Sequence, residues 1–243
     1  MLIFAFETSA KAASVALLED GVLLGESYLN CVLTHSRTLL QMGQELLETC
    51  GRTVRDVTAV ACAAGPGSFT GIRIGIAAAK GFAWARELPC VGVSTLEAMA
   101  QQATAFEGVV CCAMDARREQ VYRALFSCSG GVLTRLTEDG AVSLEKLEGE
   151  LKKTEKPKII VGDGAQLCYN TIGTAMPDCR LAAEHQRMQR ASGVALLAHA
   201  RLLAGERCDG AALTPNYLRL SQAERERAAR LQKEETHGES ANS

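Results

Sequence analysis

The sequence contains no C-x-x-C pair, no two histidines three or four residues apart, no G-x-S-x-G and no excess of positive charge. Each absence removes a class of function. The ten cysteines stand singly apart from the adjacent Cys111–Cys112, and most lie in apolar runs. That usage fits small buried hydrophobes in a reducing compartment, not a disulfide framework or a thiolate metal site. The four histidines, His35, His185, His199 and His237, form no H-E-x-x-H and no helical metal pair, which argues against a metalloprotease. Without G-x-S-x-G there is no nucleophile elbow. With 26 basic and 28 acidic side chains the net charge is −2. The chain as a whole is not built to grip a phosphate backbone, which leaves only a local patch for such a role. Aromatic residues make up 5% of the chain, so any base-stacking platform is sparse. No window reaches the ~18 uninterrupted apolar residues of a membrane span. Arg73 and Lys80 break the best candidate. The opening "MLIFAFETSAKAASVALLEDG" lacks a basic start, and Glu7 interrupts its apolar run. No targeting segment and a cytoplasmic location are therefore expected.

What is present is an α/β pattern. The 243 residues, 47% hydrophobic and 22% charged, provide core for one large domain or two lobes. "LIFAF", "SVALLED" and "VLLGESYLN" read as three strands joined by a polar break and a Gly21 turn. His35 to Cys50 reads as a helix with Leu39, Met42, Leu46 and Cys50 on one stripe. Thr34 or Ser36 can cap its start, and Gly51 can end it. "VTAVACAA" is a strand that runs into Gly65-Pro66-Gly67. A long helix over Ser68 to Glu87, a strand "CVGVS" and a helix over Thr95 to Ala103 follow. The later strands of this β-β-β-α-β-α-β-α order should pair in parallel.

After Phe106 the pattern restarts. "VVCCAMDARREQVYRALFSCSGGVL" parallels "LIFAFETSAKAASVALLEDGVL", with an apolar run, an acid, a polar loop, a second apolar run and a Gly turn. "IIVGDGA" later parallels "VACAAGPG". The order of elements indicates an internal duplication with a period of roughly one hundred residues. The expected division is an N-terminal α/β lobe over 1–105, a smaller C-terminal α/β lobe over 106–222 and a charged, disordered tail over 223–243. The second lobe is expected to carry helices near Ser143 to Thr154 and Ser192 to Gly205.

The stretch "AAGPGSFTGIRIGIAAAKGFA", Ala63 to Ala83, carries two readings. Gly65, Gly67 and Gly71 free the backbone to approach a phosphate at a helix start. The spacing is neither a Walker A loop nor a Rossmann fingerprint. A tight strand-to-helix turn capped by Ser68 explains it equally well. In the helix, Gly71, Gly75 and Ala79 recur every four residues and permit close approach of another backbone. The helix is doubly apolar by count: Ile72, Ile76 and Phe82 add bulk around the small residues, so one face suits its own sheet and another a partner. Glu7 and Asp115 fall at matching places in the two halves, where a pair of acids could hold Mg²⁺ or orient water. Thr8 and Ser9 offer hydroxyls, and Lys11 is the one nearby cation.

"AFETSAKAASVALLEDG", "HSRTLLQMGQELL", "AAGPGSFTGIRIGIAAAKGFA" and "PNYLR" (Pro215 to Arg219) resemble the TsaB family, also called YeaZ, of bacterial tRNA threonylcarbamoyladenosine biosynthesis proteins. The resemblance runs from Met1 to Ser94, thins, and returns at Pro215 to Arg219. It implies the duplicated, two-lobed fold of actin and the sugar kinases. It implies work beside a larger paralogue, TsaD, which carries metal-binding histidines and the transfer chemistry, and with an ATPase, TsaE. Together these move a threonylcarbamoyl group from its adenylate to the adenosine next to the anticodon of certain tRNAs. On this basis the chain is expected to be a non-catalytic partner with no catalytic residue, no metal and no tightly bound cofactor. ATP or ADP with Mg²⁺, and tRNA, enter only at the level of the complex.

The resemblance also implies that the heterodimer with TsaD forms through His35–Cys50 and Ser68–Glu87, and that the same helices support a homodimer of the free chain. The expected interface residues are His35, Arg37, Leu39, Met42, Leu46, Gly71, Ile72, Gly75, Ile76, Ala79, Lys80 and Phe82. Glu7, Thr8, Ser9, Gly65, Gly67 and Ser68 are expected to be the remnant of a phosphate site. The alternative is an independent ATPase or small-molecule kinase of the same fold. It would need a working phosphate cradle at Thr8 to Lys11 and an adenosine loop at Gly162 to Gly164.

Overall fold

Strand β1 (Leu2–Glu7) is buried along its whole length because it is central, with β2 (Ala13–Glu19) antiparallel on one side and β4 (Ala59–Gly65) parallel on the other. Its alternation sorts two cores. Phe4 and Phe6 point to one face, where they meet helices α1 (His35–Thr49) and α2 (Phe69–Arg86). Ile3 and Ala5 point to the other, which is lined by Ala16, Ala59, Ala61 and Ala63. The small residues on this second face let a helix approach closely. In the computed structural model, which describes residues 1–31, 33–206 and 209–219, that helix is α6 (Ala191–Leu203), seated through Ala191, Val194, Ala195 and Ala198.

Strands β3 (Val22–Leu29) and β5 (Cys90–Ser94) complete the first sheet in the order β3-β2-β1-β4-β5. The second sheet contains β6 (Gly108–Asp115), β7 (Gln120–Ser129), β8 (Val132–Arg135), β10 (Lys158–Val161) and β11 (Cys179–Leu181). Its order is β11-β10-β6-β7-β8, with β9 (Gly140–Ser143) also paired to β7. Read from the other edge, β8-β7-β6-β10-β11 repeats the first sheet strand for strand. Both begin with an antiparallel meander and end with parallel strands. The duplication inferred from element order is therefore present in the topology, and the fold is the duplicated two-lobed α/β fold of actin and the sugar kinases.

Helix α3 (Thr95–Ala100) lies between α6 and the second sheet. Leu96 and Met99 enter the core that contains Val110 and Met114, and the Gly193 backbone of α6 presses on the Ala98 carbonyl, where a Cβ would come within 2.2 Å. Helices α4 (Leu144–Leu151) and α5 (Ala165–Thr171) cover the far face of the second sheet. The layers thus run α1/α2, first sheet, α6/α3, second sheet, α4/α5.

One placement differs from the sequence reading. The helix expected at Ser192 to Gly205 was placed with the second lobe, but as α6 it packs on the first sheet. Residues 209–219 also return to the first lobe, with Leu213 in its core and the Asn216 amide donating to the Ala64 carbonyl at 2.7 Å. The physical reason is the alanine-rich face of the first sheet, which is left uncovered by α1 and α2. The expected tail, 223–243, lies outside the described residues. No helix among the described residues is long and apolar enough to cross a membrane.

Candidate functional site

The loop after β1 is folded back onto the start of α2. Thr8 Oγ1 donates to the Gly71 carbonyl at 2.7 Å. The Ser68 amide donates to the Ser9 carbonyl at 2.6 Å, and Ser68 Oγ accepts from the Gly71 amide as the N-cap. The glycines are needed for this contact. A Cβ on Gly67 would lie 2.4 Å from the Ser9 carbonyl oxygen, and one on Gly71 would lie 2.0 Å from that of Thr8. Gly75 faces the Thr8 hydroxyl, and Gly65 faces the Asn216 carbonyl. The structure thus brings together Glu7, Thr8, Ser9, Gly65, Gly67 and Ser68. It does so by packing chain against chain, with a carbonyl oxygen at the helix N-terminus where an anion would otherwise accept.

Glu7 ends β1 and is 1% exposed. Its Oε1 accepts from the Ser9 amide at 2.6 Å, and its Oε2 has no hydrogen-bond partner among the described residues. Burial pushes its pKa up to about 7, against the opposing pull of the Ser9 hydrogen bonds. Asp115, its counterpart at the end of β6, is exposed and lies 3.6 Å from Arg117. The two acids therefore occupy equivalent strand ends in the two halves but not equivalent environments. Among the described residues no group of three or more His, Cys, Asp or Glu is arranged to hold a metal ion.

A cleft of about 570 Å³ separates the lobes. Ser9, Lys11, Phe69, Asp115, Arg117, Asp163 and Arg219 are among its lining residues, and Glu7 is not. Asp163 Oδ1 accepts from Gln189 Nε2 at 2.8 Å, and burial raises the pKa of its carboxyl. The turn from β6 to β7 holds Arg117, Arg118 and Glu119 at φ of 64°, 55° and 57°, three successive side-chain-bearing residues in the left-handed region. Gly162 and Gly164 donate their amides to the carbonyls of Arg187 and Ala113, so the second lobe's glycine turn is also committed within the chain.

The segment Pro215 to Arg219 spans the cleft mouth. Tyr217 stacks on Phe69 with ring centroids 4.3 Å apart and accepts from Arg73 Nε at 2.7 Å. Arg219 donates to the Ala116 carbonyl of the second lobe at 2.6 Å. Sequence reasoning missed Phe69, Arg73 and Tyr217. The stack joins residues far apart in the chain and leaves no periodic signal.

Helices α1 and α2 lie side by side on one face of the first sheet, but most of the expected interface faces inward. Leu39, Met42, Leu46, Ile72, Ile76 and Ala79 belong to the core that holds Phe4 and Phe6. Gly71 and Gly75 are buried, and the stripe of small residues admits the chain's own Thr8 rather than another protein. Phe82 is half-buried, with its ring against Phe4 and Phe6. Arg37 is exposed, Lys80 is half-buried, and His35 Nε2 lies 2.8 Å from the Ala10 carbonyl. The outer face carries residues outside the expected interface set: Leu40, Arg73, Ala77, Gly81 and Trp84. Trp84 is 88% exposed and borders a groove of about 890 Å³ with Gly81, Leu88 and Leu202.

The family described as "TsaD: tRNA N6-adenosine threonylcarbamoyltransferase" matches residues 31–227. The tRNA threonylcarbamoyladenosine biosynthesis protein TsaB of Bacillus subtilis (strain 168) is 32% identical over 228 residues, covering 92% of this chain and 96% of that protein. The protein of the same name from Escherichia coli (strain K12) is 40% identical over 185 residues, covering 73% and 74%. The solved structure of YeaZ from Pseudomonas aeruginosa superposes with a TM-score of 0.77 at 29% identity, covering 89% of this chain and 99% of that one.

Proposed function

Because the chain belongs to the TsaB family of tRNA threonylcarbamoyladenosine biosynthesis proteins, we propose that it serves that tRNA modification as a non-catalytic partner of TsaD, with TsaE as a third component. The observation that carries the non-catalytic reading is the Ser9 carbonyl on the Ser68 amide, which occupies one of the donors a phosphate oxygen would use at this helix start. Glu7, with a pKa of about 7, has the proton affinity of a general base. It is sealed from the cleft, however, so no substrate proton lies within its reach. The alternative, an independent ATPase or kinase, loses support for the same reason and because the Gly162 and Gly164 amides are already paired.

The partner surface we assign is the outer face of α1 and α2, centred on Ala77, Gly81 and Trp84. A Cβ at Gly81 would meet nothing within 4 Å, so a facing helix can come close there. Trp84 supplies a large apolar anchor of the kind that dominates interface energy. The free chain can use the same face to form a homodimer. The test is co-purification with TsaD of the wild type and of Ala77→Arg and Trp84→Ala. Both variants should melt like the wild type and lose TsaD. Retention of TsaD by both would overturn this assignment.

A further inference from the structure

Positive charge at the cleft mouth is only partly neutralised. Lys11, Arg117 and Arg219 line the cleft, and Arg73 stands over Phe69, whose ring lines it too. Arg118 is exposed beside Arg117. Elsewhere Arg52, Arg123, Arg135, Lys152 and Arg190 each hold a carboxylate. Among the described residues Lys11, Arg73 and Arg219 form no ion pair. Arg117 meets Asp115 only at 3.6 Å, and its side chain is 88% exposed. In a chain with a net charge of −2, the cleft lining thus has a local excess of positive charge, with Lys11, Arg117 and Arg219 against Asp115 and Asp163. The carboxylates there are Asp115, Glu119 and Asp163, and Asp163 accepts a hydrogen bond from Gln189.

The opening also holds an aromatic stack. Phe69 and Tyr217 lie nearly parallel, 17° apart, and the Arg73 guanidinium sits 5.9 Å and 5.6 Å from the two ring centroids. Unpaired bases stack on such rings and on arginine planes, while neighbouring phosphates take Lys and Arg. The Ser68 amide at the start of α2 is already taken by the Ser9 carbonyl, while Gly67, Ser68 and Thr70 also line the cleft. The cations stand at the opening of that cleft, where a phosphate-bearing strand can reach them.

We propose that the mouth of the interlobe cleft binds an RNA strand, with Lys11, Arg117 and Arg219 on successive phosphates and the Arg73–Phe69–Tyr217 stack beside an unpaired base. The choice of RNA rests on the tRNA-modification reading above. A free nucleotide offers the same phosphate and base chemistry, and the experiment separates the two.

The full chain, without partners, is titrated into a short labelled RNA hairpin with an unpaired loop, and anisotropy is followed over a salt series. Three phosphate contacts predict a log–log salt slope of about −2. The double variant Lys11→Glu/Arg117→Glu should weaken binding about tenfold or more, and Arg118→Glu should weaken it less. Lys153→Glu, an exposed change on the second lobe, should leave affinity unchanged. Millimolar ATP or inorganic phosphate should not displace the hairpin. Absence of RNA binding, equal affinity of the double variant and the Lys153→Glu control, or displacement by ATP with the same sensitivity to charge reversal would each overturn the proposal. The double variant's co-purification with TsaD should stay intact, so failure here leaves the partner reading standing.

Discussion

The backbone carbonyl of Ser9 accepts a hydrogen bond from the Ser68 amide at 2.6 Å, which ties the end of β1 to the start of α2. Amides at a helix N-terminus are donors that an anion can accept from. Here the chain supplies its own acceptor. Incubated with Mg²⁺ and ATP, the isolated protein should release phosphate no faster than a blank. Turnover abolished by a change at Glu7 or Thr8 would restore the kinase alternative.

Two glycines of α2 should respond to alanine in opposite directions. At Gly71 the new Cβ would collide with the Thr8 carbonyl at 2.0 Å, which must shift the buried loop. Gly71→Ala should lower stability by about 2–4 kcal/mol in a denaturant titration. At Gly81 nothing stands within 4 Å, so alanine only removes backbone freedom from a helix. Gly81→Ala should raise stability by about 0.5–1 kcal/mol. Equal effects at the two sites would mean that the faces of α2 are misassigned.

Glu7 makes stability depend on pH. Its pKa is raised from the ordinary 4.5 to about 7, so the folded state holds a proton that the unfolded chain releases earlier. The contribution is intact below about pH 4.5, is lost as pH rises to about 7, and stays lost above that. The full loss is about 3 kcal/mol. Glu7→Gln cannot ionise, so its stability relative to wild type should rise by up to that amount between pH 4.5 and pH 8. A fixed cost of the amide cancels in this comparison. Parallel pH profiles for the two proteins would show that Glu7 titrates normally.

Much of this was legible in the sequence because periodicity and turn chemistry agree. The three-strand start, the helices at His35 and Ser68, and the restart after Phe106 all appear where apolar runs meet Gly or acid breaks. The faces of α2 were not legible. Its outer residues Ala77 and Gly81 are as small as its inner residues Gly75 and Ala79, so no moment points inward. The inner small residues serve Thr8 of the same chain, a contact that depends on tertiary folding. The short strands β8, β9 and β11 have too few residues to show alternation. The docking of α6 on the first sheet is decided by alanines on distant strands.

The central claim is that this chain supplies a surface and not the chemistry, and a reconstituted modification assay tests it most directly. Purified chain, TsaD, TsaE, tRNA and threonylcarbamoyl adenylate are combined, and modified adenosine is counted with each protein omitted in turn. Product should be absent with this chain alone and should require TsaD. It should fall more than about a hundredfold with Trp84→Ala combined with Ala77→Arg, and stay within about tenfold of wild type with Glu7→Gln. Product formed by this chain without TsaD, or a Glu7→Gln loss above about a thousandfold in an assembled complex, would contradict the account.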